Sequence, residues 1–188
     1  MNTDNEIIEK IIKGEKQLFG LIVERYESKL LRYVNRFIWD IDDAPDVLQN
    51  VFTRSYIYLN SFDKSQSFNA WIYRIAHNEC INFLKKNKKF SSYSIGDILD
   101  IDTFIPFLTA KEKSDDVTNS RENKEAVEKY LNLIDNKYRE VLILYFFEEL
   151  SYEEIAKILQ VPVSTVGVRL RRAKEKIKML MEKDNKKL

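Results

Sequence analysis

Cysteine and histidine are almost missing from this 188-residue chain: Cys80 and His77 are the only ones. A single cysteine excludes an intramolecular disulfide and any Cys-rich zinc module. A single histidine leaves little room for Ser-His-Asp chemistry. His77 and Cys80 stand one helical turn apart and could offer two metal ligands, too few for a closed zinc site, so Cys80 reads as a semi-buried thiol. Glycine (4) and proline (3) are scarce, which argues against a many-stranded sandwich or barrel and for long helices. No apolar run nears membrane-spanning length, since the longest, residues 141–147, ends in Glu148 and Glu149. The polar start, residues 1–6, has neither the basic opening nor the cleavage site of a secretory signal, and a cytoplasmic protein is expected. There is no Walker-type glycine loop and no nucleophile–base pair. The expectation is a non-enzyme with no cofactor, no metal and no small-molecule substrate.

An excess of one charge is also missing: Lys+Arg number 31 and Asp+Glu 30, net +1. With 44% hydrophobic and 32% charged residues, the composition is globular, and the length suits one domain or two small ones. The balance hides a pattern. Residues 1–90 carry 14 basic and 12 acidic side chains, residues 91–120 carry 2 and 6, and residues 121–188 carry 15 and 12. Residues 163–188 alone hold 9 bases against 3 acids. Screening confines each charge's influence to about 8–10 Å, so a clustered basic helix attracts phosphate whatever the total. The reading is an all-α protein of two helical domains, residues 1–90 and 121–188, joined by an acidic linker, residues 91–120.

Apolar periodicity marks the helices. Phe19, Ile22, Val23, Tyr26, Leu30, Tyr33, Val34 and Phe37 form one buried stripe. Asp43 before Ala44-Pro45-Asp46 predicts an N-cap with proline in the first turn. Val47, Leu48, Val51, Phe52, Tyr56 and Leu59 form a second stripe, and Trp71, Ile72, Ile75, Phe83 and Leu84 a third. In the second domain Val127, Tyr130, Leu131 and Ile134 form one stripe, and Tyr138, Val141, Leu142, Tyr145 and Phe146 the next.

Residues 151–174 are the most informative. Ser151 and Glu154 make an S-x-x-E capping box before an apolar run. Pro162 breaks the helix after a short turn, and Ser164 is placed to cap the next one. On that second helix Val163, Val166, Leu170, Ala173, Ile177 and Leu180 face inward, while Ser164, Val168, Arg171 and Arg172 face the other way. This is a helix-turn-helix with a basic outer face, able to enter a major groove and present Arg to guanine.

The first domain has its own nucleic-acid chemistry. Arg74, Asn78, Asn82 and Lys85 share one helical face, with Lys86 beside them. Amides bond base edges and lysines hold phosphates. The preceding loop, with Asn60, Ser61, Phe62, Asp63 and Lys64, offers polar groups for a base edge and a phenyl ring for its face. The same loop also reads as a plain turn, and Trp71 as core.

Taken in order, these motifs resemble those of bacterial RNA polymerase sigma factors of the extracytoplasmic-function (ECF) group. Residues 43–52, DAPDVLQNVF, resemble the family's D-A-x-D-x-x-Q-x-x-F segment, and residues 71–78, WIYRIAHN, its W-L-x-x-I-A-x-N segment. Arg139-Glu140-Val141-Leu142, Ser151 to Ala156 and Val163 to Ala173 resemble the signature of its second domain. The resemblance implies a region 2-like domain and a region 4-like domain. It implies core docking on the β′ clamp helices through Asp43, Asp46, Leu48, Gln49 and Asn50. It implies −10 promoter contacts from Asn60, Ser61, Phe62, Asp63, Lys64, Asn69, Arg74, Asn78, Asn82, Lys85 and Lys86. It implies −35 contacts from Tyr152, Ser164, Thr165, Val168, Arg169, Arg171, Arg172 and Lys174. The implied partners are core polymerase, including the β subunit flap, promoter DNA, and the inhibitory anti-sigma factor that the family often has. Gly167 stands where the family usually has Arg or Lys, Gln160 replaces the usual turn Gly, Val168 a commonly polar residue, and Ile134-Asp135 a common Leu-Pro. A stand-alone helix-turn-helix regulator of duplex DNA and a helical adaptor with a merely solvated basic end remain as the other readings.

Overall fold

The computed structural model describes residues 3–38, 42–86, 130, 131 and 133–185. Among these, every regular element is helical, as the all-α expectation requires, and no helix is long and apolar enough to cross a membrane. Residues 91–120 and Val127 lie outside the described residues. The chain divides into two compact units, residues 1–90 with 153–161, and residues 91–152 with 162–188.

The first unit begins with a helix that the apolar stripes did not reveal, α1 (Asp4–Ile12). Its signal is a capping box at Thr3 and Glu6. The Thr3 hydroxyl accepts from the Glu6 N–H at 3.3 Å, and the Glu6 carboxylate accepts from the Thr3 N–H at 2.9 Å. Ile7, Ile8 and Ile11 are buried. Asp4 ties the helix to α2 (Phe19–Ile38) by accepting from the Arg25 guanidinium and, at 2.6 Å, from the Tyr26 hydroxyl. The predicted stripe of α2 is largely realised. Ile22, Tyr26, Leu30, Tyr33, Val34 and Phe37 are buried, while Phe19 and Val23 are only partly so.

Helix α3 (Ala44–Tyr58) starts where Asp43 and Pro45 predict, but not by the predicted bond. Asp43 has helical backbone angles and its side chain does not cap the helix; its carbonyl accepts from the Val47 N–H at 3.2 Å. A 3-10 turn (Leu59–Ser61) and a short loop lead to α4 (Phe68–Lys86). Helices α2, α3 and α4 pack against one another pairwise. Trp71, Ile72, Ala76 and Leu84 are buried, and Cys80 is fully buried rather than semi-buried, which pushes its thiol pKa up. Complete burial of such apolar side chains contributes about 1.5–3 kcal/mol each.

In the second unit α5 (Asn136–Leu142) continues into a π-helical turn (Ile143–Phe147), with the Glu148 N–H on the Ile143 carbonyl at 3.2 Å. Arg139, half-buried, donates to the Leu131 carbonyl at 2.9 Å, and burial lowers its pKa to about 10. Helix α6 (Tyr152–Leu159), of which residues 153–159 belong to the first unit, begins directly after Ser151. It ends in a Schellman turn: Gln160 takes a left-handed backbone (φ 54), and the Val161 N–H bonds the Ala156 carbonyl at 3.1 Å. Helix α7 (Val163–Asn185) follows, with the Pro162 carbonyl accepting from Thr165 and Val166 at 2.9 and 3.3 Å. Ser164 therefore lies inside the first turn and is not the cap. Val166, Leu170, Ala173 and Ile177 are buried as predicted, but Val163, at the helix start, is 41% exposed. Helix α7 packs on α5, and the Tyr130 hydroxyl donates to Asp184 at 3.0 Å.

Two departures from the family pattern can be tested by stability. Gln160 holds a conformation that costs a non-glycine residue about 1 kcal/mol or more. Gly167 sits inside α7, where an added Cβ would meet only a Tyr152 ring carbon at 3.7 Å, an ordinary contact. Gln160→Gly and Gly167→Ala are each expected to raise unfolding free energy by about 0.5–1 kcal/mol in urea titrations. Loss of stability in either would refute the corresponding backbone assignment.

Candidate nucleic-acid interfaces

Arg74, Asn78, Asn82 and Lys85 recur every three or four residues along α4, which puts them on one face. In the folded unit this face lines a groove of about 460 Å³ whose other wall is the end of α3 and the 3-10 turn, with Arg54, Tyr58 and Ser61. The groove thus gathers cations, two carboxamides and an aromatic ring. Asn78 and Asn82 are exposed, Arg74 is half-buried, and Trp71 forms part of the floor at 8% exposure. Asn69 and Lys86 do not line it.

The loop before α4 differs from the expectation. Phe62 is only 6% exposed. Its ring lies 5.3 Å from both Phe68 and Trp71, and Phe68 in turn stacks on Trp71 at 5.4 Å. The ring is core, so it offers no open face to a base. Asp63 turns back on its own loop. Its carboxylate accepts from the Ser65 N–H at 2.9 Å, the Ser65 hydroxyl at 2.8 Å and the Gln66 amide at 3.1 Å. These bonds hold its pKa below the ordinary carboxylate value, Ser65 N–H first. Lys64 pairs with Glu9 at 3.0 Å and takes an Asn5 amide on its carbonyl. Asn60 is exposed, and the Ser61 hydroxyl donates to the Tyr58 carbonyl at 2.7 Å. The loop is a staple that joins α1 to the α4 start, and only Ser61 of it reaches the groove.

On α3, Asp46, Gln49 and Asn50 are exposed and Asp43 is partly so. Leu48 is 7% exposed and belongs to the core stripe, which removes it from any docking face.

The basic outer face of α7 divides in two. Ser164, Val168, Arg171 and Arg172 are exposed, and Thr165 and Tyr152 partly so. Arg171 reaches Glu175 at 3.4 Å, one turn on, while Arg172 makes no ion pair among the described residues. Arg169 faces the other way and donates to Glu140 at 2.9 Å. That carboxylate is buried, and desolvation raises its pKa to about 7 despite the arginine. Lys174 lies over the rings of Phe146 and Tyr145 at 5.6 and 5.8 Å, where burial lowers its pKa. These two cations of the expected −35 set are turned to protein.

Four groove residues escaped the sequence reading, Arg54, Tyr58, Glu79 and Ile81, the first three of them polar. Arg54, Tyr58 and Ser61 fall at i, i+4 and i+7, a pattern legible in principle. Glu79 is 9% exposed and pairs with Arg54 at 2.8 Å. Nothing in its local sequence distinguishes it from a surface acid.

Two family models match the chain, "Sigma-70 region 2" over residues 22–90 and "Sigma-70, region 4" over residues 124–177. The ECF RNA polymerase sigma-E factor of Escherichia coli K12 is 34% identical over 177 residues, 93% of this chain and 92% of that protein. The chain belongs to the ECF RNA polymerase sigma factors. The ECF sigma factor SigW of Bacillus subtilis is 29% identical over 173 residues, 91% of this chain and 92% of its own. Among solved structures, CnrH in complex with the cytosolic domain of CnrY covers 97% of this sigma factor and 99% of its own chain, at TM-score 0.70 and 23% identity. The sigma factor RpoE of Bartonella quintana, solved with the anti-sigma factor NepR, covers 87% and 96% at TM-score 0.63 and 22% identity. These two share the fold. As a sigma factor the protein acts in transcription initiation, with core RNA polymerase and promoter DNA as partners.

The split of the α7 arginines predicts opposite phenotypes. Arg169→Ala strands a buried carboxylate and is expected to cost about 2 kcal/mol of stability, discounted for the part-exposure of Arg169. Arg172→Ala is expected to change stability by less than about 0.5 kcal/mol. Calorimetric or urea unfolding checks both. Glu140 also carries a pH signature. Its folded pKa lies above its ordinary value, so the folded state binds more protons between those two values. Its contribution is present at low pH and is lost as pH rises from about 4.5 to about 7. Relative to Glu140→Gln, the native protein is expected to lose stability across that window, and parallel curves would contradict the assignment.

Proposed function

We propose that this sigma factor divides promoter recognition between its two domains, residues 1–90 and 121–188, with residues 91–120 as linker. In this reading the exposed face of α3, with Asp46, Gln49 and Asn50, docks on the β′ clamp helices of core polymerase. The groove between α3 and α4 takes the non-template strand of the −10 element. The outer face of α7, with Ser164, Thr165, Val168, Arg171 and Arg172, reads the −35 element, and its domain meets the β subunit flap. The observation that carries the reading is the convergence of Arg74, Asn78, Asn82 and Lys85 on one groove.

The chemistry suits an unpaired strand. Unstacking bases costs a few kcal/mol, which is offset only if the pocket contacts the correct base. Carboxamides supply donors and acceptors for base edges, and the cations along the groove follow the phosphates. On α7, the exposed Val168 offers a surface for a thymine methyl, and Arg172 a bidentate donor for guanine. The chain itself makes and breaks no bond; core polymerase does the synthesis, and the pair works in the cytoplasm. The complex of a structural neighbour with the anti-sigma factor NepR supports including an inhibitory protein among the partners. A stand-alone regulator would instead give a tight duplex footprint without polymerase.

Run-off transcription with purified core polymerase on a promoter library tests the whole. Selective initiation is expected only when both components are present. Arg172→Ala is expected to weaken −35 dependence by about 1–3 kcal/mol, read as transcription from promoters with and without that element. Asn78→Ala is expected to impair promoter opening more than core binding, measured by permanganate reactivity and by core titration. A variant that melts promoters normally would remove Asn78 from the site.

A further inference from the structure

The α3 wall of the groove has a composition of its own. Tyr58 lines it with 51% of its surface exposed. Arg54 precedes it by one helical turn and lines the same wall. Arg54 does not move freely. Its Nε donates to Glu79 at 2.8 Å, and Glu79 is rooted in α4 with its side chain 10% exposed, while Arg54 keeps 50% exposure. Holding the guanidinium by Nε leaves its two terminal amino groups as donors. A phenol ring and a fixed guanidinium one turn apart are the two parts that a nucleotide needs, a face for the base and donors for the phosphate. Phe62, the ring that the sequence offered for that face, is buried.

We propose that Tyr58 is the stacking platform for one unpaired base in the groove, and that the Glu79-held Arg54 takes the adjoining backbone phosphate. Tyr58 and Arg54 touch the strand. Glu79 is a positioning residue that acts through Arg54. The proposal rests on the reading of the groove as the −10 site and adds to it the element that grips the strand whatever its sequence. A stacking ring tolerates any base, so specificity stays with the carboxamides of α4 across the groove.

The experiment uses the full-length sigma factor with core polymerase on a promoter mapped by its own start sites, offered as duplex and with the −10 region pre-melted. Tyr58→Ala and Tyr58→Leu are expected to slow open-complex formation on the duplex by about tenfold or more, the effect of losing one stacked base. Tyr58→Phe is expected to stay within about twofold, and core affinity to be unchanged in all three. Arg54→Gln is expected to lower the slope of log affinity for the pre-melted template against log salt by about 1, the signature of one lost phosphate contact, whereas Glu79→Gln, which frees the guanidinium but keeps the cation, is expected to leave that slope intact and to slow opening of the duplex severalfold. Normal opening by Tyr58→Leu, with Asn78→Ala impaired, would overturn the stacking role and leave the groove reading intact. Normal opening by both would overturn the two together. An unchanged salt slope in Arg54→Gln would remove Arg54 from the phosphate, and normal opening by Glu79→Gln would remove Glu79 as its positioning residue. Tyr58→Leu keeps an apolar side chain at the site, so it decides the question even where Tyr58→Ala unfolds.

Discussion

The burial of three aromatic rings at one corner sets the geometry on which the first domain depends. Phe62 ends the turn after α3, Phe68 opens α4, and Trp71 stands one turn further on; their centroids lie 5.3 to 5.4 Å apart. Tyr26 of α2 meets Phe68 edge-on at 5.5 Å. Such rings bury large areas and accept few relative orientations, so the cluster fixes where α4 starts relative to the end of α3. The groove walls are those two helix segments. Its width is therefore decided by core packing, and the polar residues that line it are carried on rigid supports rather than on a loop.

That division explains what the sequence disclosed and what it concealed. Helix identity was legible because the apolar stripe of α2 and the α4 set of Arg74, Asn78, Asn82 and Lys85 follow a helical period, which any packed helix must respect. The start of α3 was legible from Asp43 and Pro45 although Asp43 caps nothing, because proline alone suffices to mark a first turn. Phe62 was misplaced, while Leu48, which stood in both the apolar stripe and the docking set, belongs to the stripe. A functional motif names positions, but whether a ring or a leucine points out or in depends on the partner that covers it, and those partners lie on other helices. Helix α1 was not legible although its capping box at Thr3 and Glu6 is local, because a helix of nine residues that buries only Ile7, Ile8 and Ile11 carries too short an apolar stripe to show a period. Glu79 could not have been found. An acid on a helix reads as solvated until a second helix places an arginine against it.

Charge on α7 obeys a similar logic. The helix carries positive side chains on several faces, and the fold uses them differently. Arg169 lies on the face that meets α5, where Glu140 requires it; Arg171 and Arg172, two and three positions later, have turned 200° and 300° around an ideal helix and stand in solvent. Lys174 comes back toward Tyr145 and Phe146. A count of bases therefore overstates the field that DNA would meet, since those paired inside the domain are already neutralised or desolvated. Of these four cations, only Arg171 and Arg172 are exposed.

Both domains bury one carboxylate against an arginine from a neighbouring helix, Glu79 with Arg54 and Glu140 with Arg169, with side-chain exposures of 10% for each acid. The arginines differ. Arg54 keeps half its surface in solvent and Arg169 about a quarter, so the same device serves two ends. In the second domain the pair is largely covered and ties α7 to α5, which fixes the direction of the outer face of α7. In the first it is open on one side, and a buried acid fixes a cation at the rim of a groove. A flexible lysine at position 54 would lose rotamer freedom on binding a phosphate, whereas an arginine already held by Nε has paid most of that entropy in folding.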